Sequence, residues 1–302
     1  MNAIRSTGTP DELSVASPAE GVRASPADNP KNVVNSVAKA FSVLQCFSAG
    51  QHVLTIPEIA ARSGIDRGTA FRLTHTLVSL GYLRPVAERR FRLTLKCLDL
   101  GYAALSSQDL GWHAGPLLEE CVPDYCDAAS VGVLEGADVV YLARVEQNLG
   151  RYNLDRKPGR RVRAYGAALG HVILAFMPLP RQVEVLASAE RIKLSEHTLT
   201  DLDALLERLK HVREQGYAIS DGENAYGLRT IATPVFDPDG NPVAGVSLTI
   251  DAQRMAMQEF VTLARSRAQA IATELGRALQ AASGGMQTDP PHRSHGHSHQ
   301  SI

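Results

Sequence analysis

No run of about 18 apolar residues occurs in this chain of 302, so no membrane-spanning helix is expected. The N-terminus does not pass from a basic start into an apolar stretch, so no secretory leader is expected and a cytoplasmic location follows. Cysteine is scarce. Cys46, Cys97, Cys121 and Cys126 form no C-x-x-C pair, which argues against a zinc site or a disulfide framework and leaves reduced, mostly buried thiols. Catalytic signatures are missing too: there is no Gly-x-Ser-x-Gly, Walker A, dinucleotide fingerprint or His-Glu-x-x-His. Asp221 and Glu223 could imitate a catalytic carboxylate pair, but no catalytic motif accompanies them. Neither an enzyme nor a bound cofactor is expected.

Charge is present but unevenly spread. The formal net charge is −1, yet residues 31–96 carry ten Lys or Arg against Glu58, Asp66 and Glu88, a local +7 that leaves −8 for the remainder. A basic module joined to an acidic one points to a polyanion partner for the first part only. Residues 1–30 are rich in Pro, Ser, Ala and Asp and are expected to be a disordered tail. Residues 283–302 are similar. Their His292, His295, His297 and His299 could bind a transition metal weakly, but nothing pre-organises them, and an adventitious polar tail is the simpler reading. No metal site is therefore assigned.

Between the tails, helical spacing of Val37, Ala40, Leu44 and Phe47 marks a first helix. Thr55-Ile56-Pro57-Glu58 is a capping-box pattern opening a second, short helix that carries Ile59 and Ala60 and leaves at Gly64. Asp66 is suited to cap a third helix, with Ala70, Leu73, Leu77 and Leu80 as its buried stripe and Gly81 closing it. The opposite face carries Arg67, Gly68, Thr69, Phe71, Arg72 and His75. Tyr82-Leu83-Arg84 and Arg90-Phe91-Arg92-Leu93 then alternate like two short strands around Ala87-Glu88-Arg89. Two helices joined by a tight turn, the second basic outside, followed by an Arg-rich hairpin, describe a winged helix-turn-helix. Arg89 and Arg90 at the hairpin are suited to phosphate. Phe71 could meet a thymine methyl or fold onto the wing.

These residues resemble the IclR family of bacterial regulators. The likeness runs through Ile56-Pro57-Glu58-Ile59-Ala60 and Thr76-Leu77-Val78-Ser79-Leu80-Gly81-Tyr82-Leu83. It continues in Pro158-Gly159-Arg160, Ala167-Ala168-Leu169-Gly170, Gly216-Tyr217-Ala218 and the segment from Gly227 to Val235. Ala104-Leu105-Ser106-Ser107, Tyr152-Asn153-Leu154 and Ala164-Tyr165 look most like regulators of protocatechuate, 4-hydroxybenzoate and β-ketoadipate pathways. Arg163, Ala167 and Gly68 depart from the family's usual proline, threonine and serine. The resemblance implies an α+β chain in which residues 31–94 form the winged helix-turn-helix, 95–110 a linker helix and 111–282 a GAF-like effector-binding domain. It also implies that Leu95, Leu98, Tyr102 and Leu105 help pair subunits into a homodimer or tetramer.

In the effector half, strands are expected at 130–134, 139–145, 217–220, 230–236 and 243–250, with helices at 168–176 and 202–212. Leu263, Ala264, Ala268, Ile271 and Leu275 mark a long last helix. The free N–H groups opening the helix at Ala168, Leu169 and Gly170 would attract an anion, and small residues there also serve tight packing. Arg163, just upstream, could add a charge-assisted contact to a carboxylate. By resemblance the opposite wall falls at Asp221, Leu228, Thr230, Ser247 and Thr249. Tyr152 and Tyr165 could line the pocket or pack in the core. The expected partners are thus duplex operator DNA, a small carboxylate and a second copy of the chain, with no membrane.

Overall fold

A computed structural model describes residues 32–284 apart from 49, 87–88, 107–108 and 153–154. The expected disordered ends, the four tail histidines and the hairpin-tip residues Ala87 and Glu88 lie outside the described residues. Two compact units divide between Cys97 and Leu98.

The first unit runs α1 (Asn35–Gln45), β1 (Leu54–Thr55), α2 (Ile56–Ser63), α3 (Arg67–Ser79), β2 (Leu83–Val86) and β3 (Arg90–Leu93). Its helix ends follow from local chemistry. Thr55 accepts from the Glu58 N–H, and Glu58 accepts from the Thr55 N–H at 2.7 Å, so two otherwise orphaned donors are satisfied reciprocally. Gly64 ends α2 in the left-handed conformation at φ 67°. Asp66 caps α3, accepting from the Thr69 N–H at 2.9 Å. The strands form an antiparallel sheet in the order β1-β3-β2. Val43, Ile59, Ala70, Leu77 and Leu83 make the core.

Two expected stripes are corrected. Val37 is 53% exposed, because only the last turn of α1 joins the core, through Val43, Leu44 and Cys46. Leu80 is also 53% exposed; the helix ends there, and Thr74 takes the inward place instead.

From α4 (Cys97–Ser106) and α5 (Asp109–Glu119) the chain enters β4 (Ala128–Glu135), β5 (Asp138–Glu146) and β6 (Arg161–Arg163). Then follow α6 (Ala168–Ala175), α7 (Leu179–Ala187), α8 (Leu202–Gln215), β7 (Ala218–Asp221), β8 (Leu228–Phe236), β9 (Pro242–Asp251) and α9 (Met257–Gly284). The strands form one antiparallel six-stranded sheet ordered β6-β5-β4-β9-β8-β7. One face packs on α5 and α9 through Leu118, Val246, Leu248, Phe260 and Ile271. The other packs on α6 and α8 through Leu169, Val172, Ile173, Leu205 and Leu209. Helices against an antiparallel sheet make an α+β unit.

The helices α5 and α7 and the short strand β6 have no counterpart in the sequence reading. On α9, Ala264, Ala268, Ile271 and Leu275 are buried as expected, Leu263 is 38% exposed, and the buried stripe begins one turn earlier at Phe260. α4 buries none of its residues; Leu98 and Tyr102 are exposed and Leu105 is half-buried.

Candidate functional site

The outward face of α3 presents Arg67, Gly68, Phe71, Arg72 and His75, all exposed, with Thr69 half-buried among them. The Thr69 hydroxyl accepts from Arg72 Nη2 at 3.3 Å, which orients the guanidinium along the helix. Phe71 stays half exposed and stacks on His75 at 4.3 Å, and His75 meets the ring of Phe91 in β3 edge-on at 5.8 Å. The aromatic series therefore ties α3 to the hairpin while leaving Phe71 available at the surface. Arg89 and Arg90 are exposed at the start of β3, Arg89 at φ 59°.

In the second unit the strand registers set side chains in rows on the α6 face of the sheet. Gly132 of β4 stands between Tyr141 of β5 and Gly245 of β9. In the next row Ser130 stands between Arg144 and Ser247. In the third, Thr249 is opposite Ala128 and Thr230, and Thr230 is opposite Ser220 of β7. Rows on one face lie about 7 Å apart. The glycine row admits α6: a Cβ on Gly245 would sit 3.0 Å from the Leu169 side chain. Gly170 is tighter still, since a Cβ there would fall 2.1 Å from the Ala164 carbonyl oxygen.

Beside the start of α6 a narrow cleft opens over the hydroxyl rows, with a cavity volume of about 20 Å³. Of the expected site residues it brings together Ala168, Leu169, Leu228, Thr230, Ser247 and Thr249. Three others stand elsewhere. Arg163 lies on the edge strand β6, where it pairs with Asp138 at 3.0 Å, near solvent. Tyr165 is buried, and its hydroxyl donates to the Ile192 carbonyl at 2.7 Å, away from the cleft. Asp221 is exposed and paired with Arg229, because β7 alternates and turns Ser220 inward in its place. Glu223 does not join Asp221; it is buried against Arg208 at 2.9 Å. Tyr152 donates to the Gly227 carbonyl at 2.9 Å.

The cleft also holds Tyr141, Arg144, Arg156, Ser220 and Asn224, which the sequence reading missed. Tyr141 and Arg144 are an odd number of residues apart and should face opposite sides. A β-bulge at Leu142 resets the alternation, so both point inward. Arg144 Nη1 donates to Ser130 Oγ and Nε to Glu146 Oε2, each at 2.8 Å. Its Nη2 lies 2.8 Å from the same carboxylate oxygen but out of line, and is a buried donor without a hydrogen bond. Burial holds the Arg156 guanidinium below its ordinary pKa; Tyr141 opposes the shift, Arg144 adds to it and Glu146 opposes it. Among the described residues the N–H groups of Ala168 and Leu169 have no partner, and no side chain caps the helix. Guanidinium groups and an uncapped helix N-terminus make this cleft cationic and rich in hydroxyl groups.

A helix-turn-helix with a basic face, followed in a separate unit by a narrow polar cleft, is the arrangement of a ligand-responsive DNA-binding regulator. The family model for the IclR helix-turn-helix domain matches residues 36–87, and that for the bacterial transcriptional regulator IclR C-terminal region matches residues 102–274. The chain belongs to the IclR family of transcriptional regulators. It is 33% identical to the Pca regulon regulatory protein of Pseudomonas putida over 82% of this chain and 84% of that one. Identity to the HTH-type transcriptional regulator KdgR of Escherichia coli K12 is 32%, over 82% and 95% of the two chains. A solved transcriptional regulator from Rhodococcus sp. RHA1 superposes with a TM-score of 0.71 at 32% identity, over 83% of this chain and all of that one.

Proposed function

We propose that α3 reads duplex DNA and that the cleft at the start of α6 binds a small carboxylate whose presence alters transcription of aromatic-acid catabolism genes. The observation that carries the effector reading is the convergence of Arg144, Arg156 and the uncapped α6 terminus on one cleft. In this reading the β2–β3 hairpin is a wing, with Arg89 and Arg90 on phosphates, and the six-stranded unit is a GAF-like sensor. Arg67 and Arg72 reach base edges, and Phe71 offers apolar surface to a thymine methyl. The strings around Ala104, Tyr152 and Ala164 support the aromatic-acid assignment, as does the name of the Pseudomonas putida relative.

The polar lining favours a second reading, a short oxo-acid effector, because few apolar side chains face the cleft. Calorimetry on the full chain separates the two, using benzoate, 4-hydroxybenzoate, protocatechuate, β-ketoadipate and short oxo-acids, each against its amide. Binding of acid but not amide is expected; equal binding of both contradicts the carboxylate site. A homodimer is part of the same proposal, with exposed Leu95, Leu98 and Tyr102 as the seam. Light scattering checks it, and a monomer at micromolar concentration that still binds its operator contradicts it.

A further inference from the structure

Phe71 stands 52% exposed on a face of α3 that it shares with Arg67, Gly68, Arg72 and His75. A phenyl ring alone on a helix surface samples more than one rotamer, which blurs any contact it makes. Here the ring is held. His75 lies one turn further along, at i+4, and the two ring centroids are 4.3 Å apart with a tilt of 45°. Phe91 of β3 holds His75 in turn, edge-on at 5.8 Å and 79°. Phe91 is only 6% exposed and sits in the central strand of the three-stranded sheet, opposite Leu54 of β1 and Pro85 of β2. The three rings form a column rooted in the sheet, with Phe71 as its outer end.

His75 makes no hydrogen bond or ion pair among the described residues, so within the unit its ring serves the two aromatic contacts. Tilted and edge-to-face pairs of this kind are favoured beyond the area they bury. The outer ring is apolar, and in the major groove the apolar group on a base edge is the thymine 5-methyl; the other edges present donors and acceptors.

We propose that His75 is a positioning residue for sequence reading: it fixes the Phe71 ring against the methyl group of a thymine in the operator and contacts no base itself. This rests on the reading of α3 as the DNA-reading helix and names how one base is recognised. Arg90 precedes Phe91 in β3, so the same column also sets the spacing between the base-reading ring and the hairpin.

The test is fluorescence anisotropy on the full chain, with the duplex that this chain enriches from a random pool as the probe. Each thymine is replaced in turn by uracil, which lacks only the methyl group. At least one replacement should weaken native binding about fourfold, the yield of burying one methyl-sized group. In Phe71→Ala the same replacement should have no effect. In His75→Ala it should weaken binding by less than about 1.5-fold although Phe71 is present, and the salt slope should stay as in the native chain because no phosphate contact is lost. His75→Phe, a ring without hydrogen-bonding nitrogens, should restore most of the fourfold difference and guards against a folding artefact. Indifference of native binding to every uracil, a full methyl effect in His75→Ala, or failure of His75→Phe to restore it overturns the positioning role and leaves α3 as the reading helix. If the full chain enriches no sequence, the reading of α3 itself falls.

Discussion

The two units expose their chemistry in opposite ways. On α3 the candidate contacts come from one short helix, face outward, and depend on little beyond its cap and its core stripe. The cleft draws on β5, β7, β8, β9, the start of α6 and two loops, and depends on strand register, a bulge and close-packed glycines. The first surface should tolerate substitution without loss of fold, whereas the second is part of the fold and resists it.

The strongest way to break that contrast is a pair of glycine substitutions. Gly170→Ala puts a methyl group into the Ala164 backbone and should destabilise the second unit by about 3 kcal/mol or more, read as a lower urea midpoint. Gly68→Ala meets only the Asp66 side chain at 3.3 Å and should change stability by less than about 1 kcal/mol. Equal midpoints for the two variants would show that the close approach of α6 is not a constraint.

Next in size is the reading helix. Arg72→Ala should weaken specific DNA binding by roughly 1–3 kcal/mol if it makes a bidentate base contact, with folding unchanged. Arg89→Ala should weaken binding to all sequences alike and lower the salt slope by about 1, measured by fluorescence anisotropy across salt concentrations. A sequence-dependent loss in Arg89→Ala would move it from phosphate to base.

The smallest expected effect separates the units by pH. His171 is fully buried, its Nε2 donates to the Tyr165 carbonyl at 2.7 Å, and burial holds its pKa below the ordinary 6.5. The unfolded chain therefore takes up a proton near that pH and the folded one does not. Its contribution is fully present above 6.5 and declines as pH falls below it. In the first unit, hydrogen bonds to the Thr69 hydroxyl and N–H hold the Asp66 carboxyl below its ordinary range. That cap is intact above the carboxylate range and is lost only as pH falls through the depressed value. Hydrogen exchange on the full chain between pH 7 and pH 3 should thus loosen α6 before α3. Asp66→Asn, which caps without titrating, should remove the later step.

The same contrast decides what was legible in the sequence. The turn between α2 and α3 is written in adjacent residues, Thr55 with Glu58, Gly64 and Asp66, and needs no knowledge of the rest of the chain. Leu228, Thr230, Ser247 and Thr249 could be placed only through family resemblance, because nothing local distinguishes them from other strand residues. Arg144 was hidden by the bulge at Leu142, which inverts the alternation any reader would apply. Arg156 lies between β5 and β6, where no periodicity exists to orient it. Arg163 was drawn to the helix start by its nearness in sequence, but the edge strand carries it to Asp138. Asp221 was one residue out of phase with Ser220, and a strand turns that into the wrong face.

The central claim, that α3 supplies sequence selectivity, is tested most directly by selecting duplexes from a random pool with the full chain and with an Arg67→Ala/Arg72→Ala double variant. The native chain should enrich a near-palindromic sequence and bind it far more tightly than the pool. The double variant, with unchanged circular dichroism, should enrich none and keep only salt-sensitive, sequence-independent binding. Enrichment of the same sequence with the same affinity by the double variant would contradict the assignment of α3 as the reading helix.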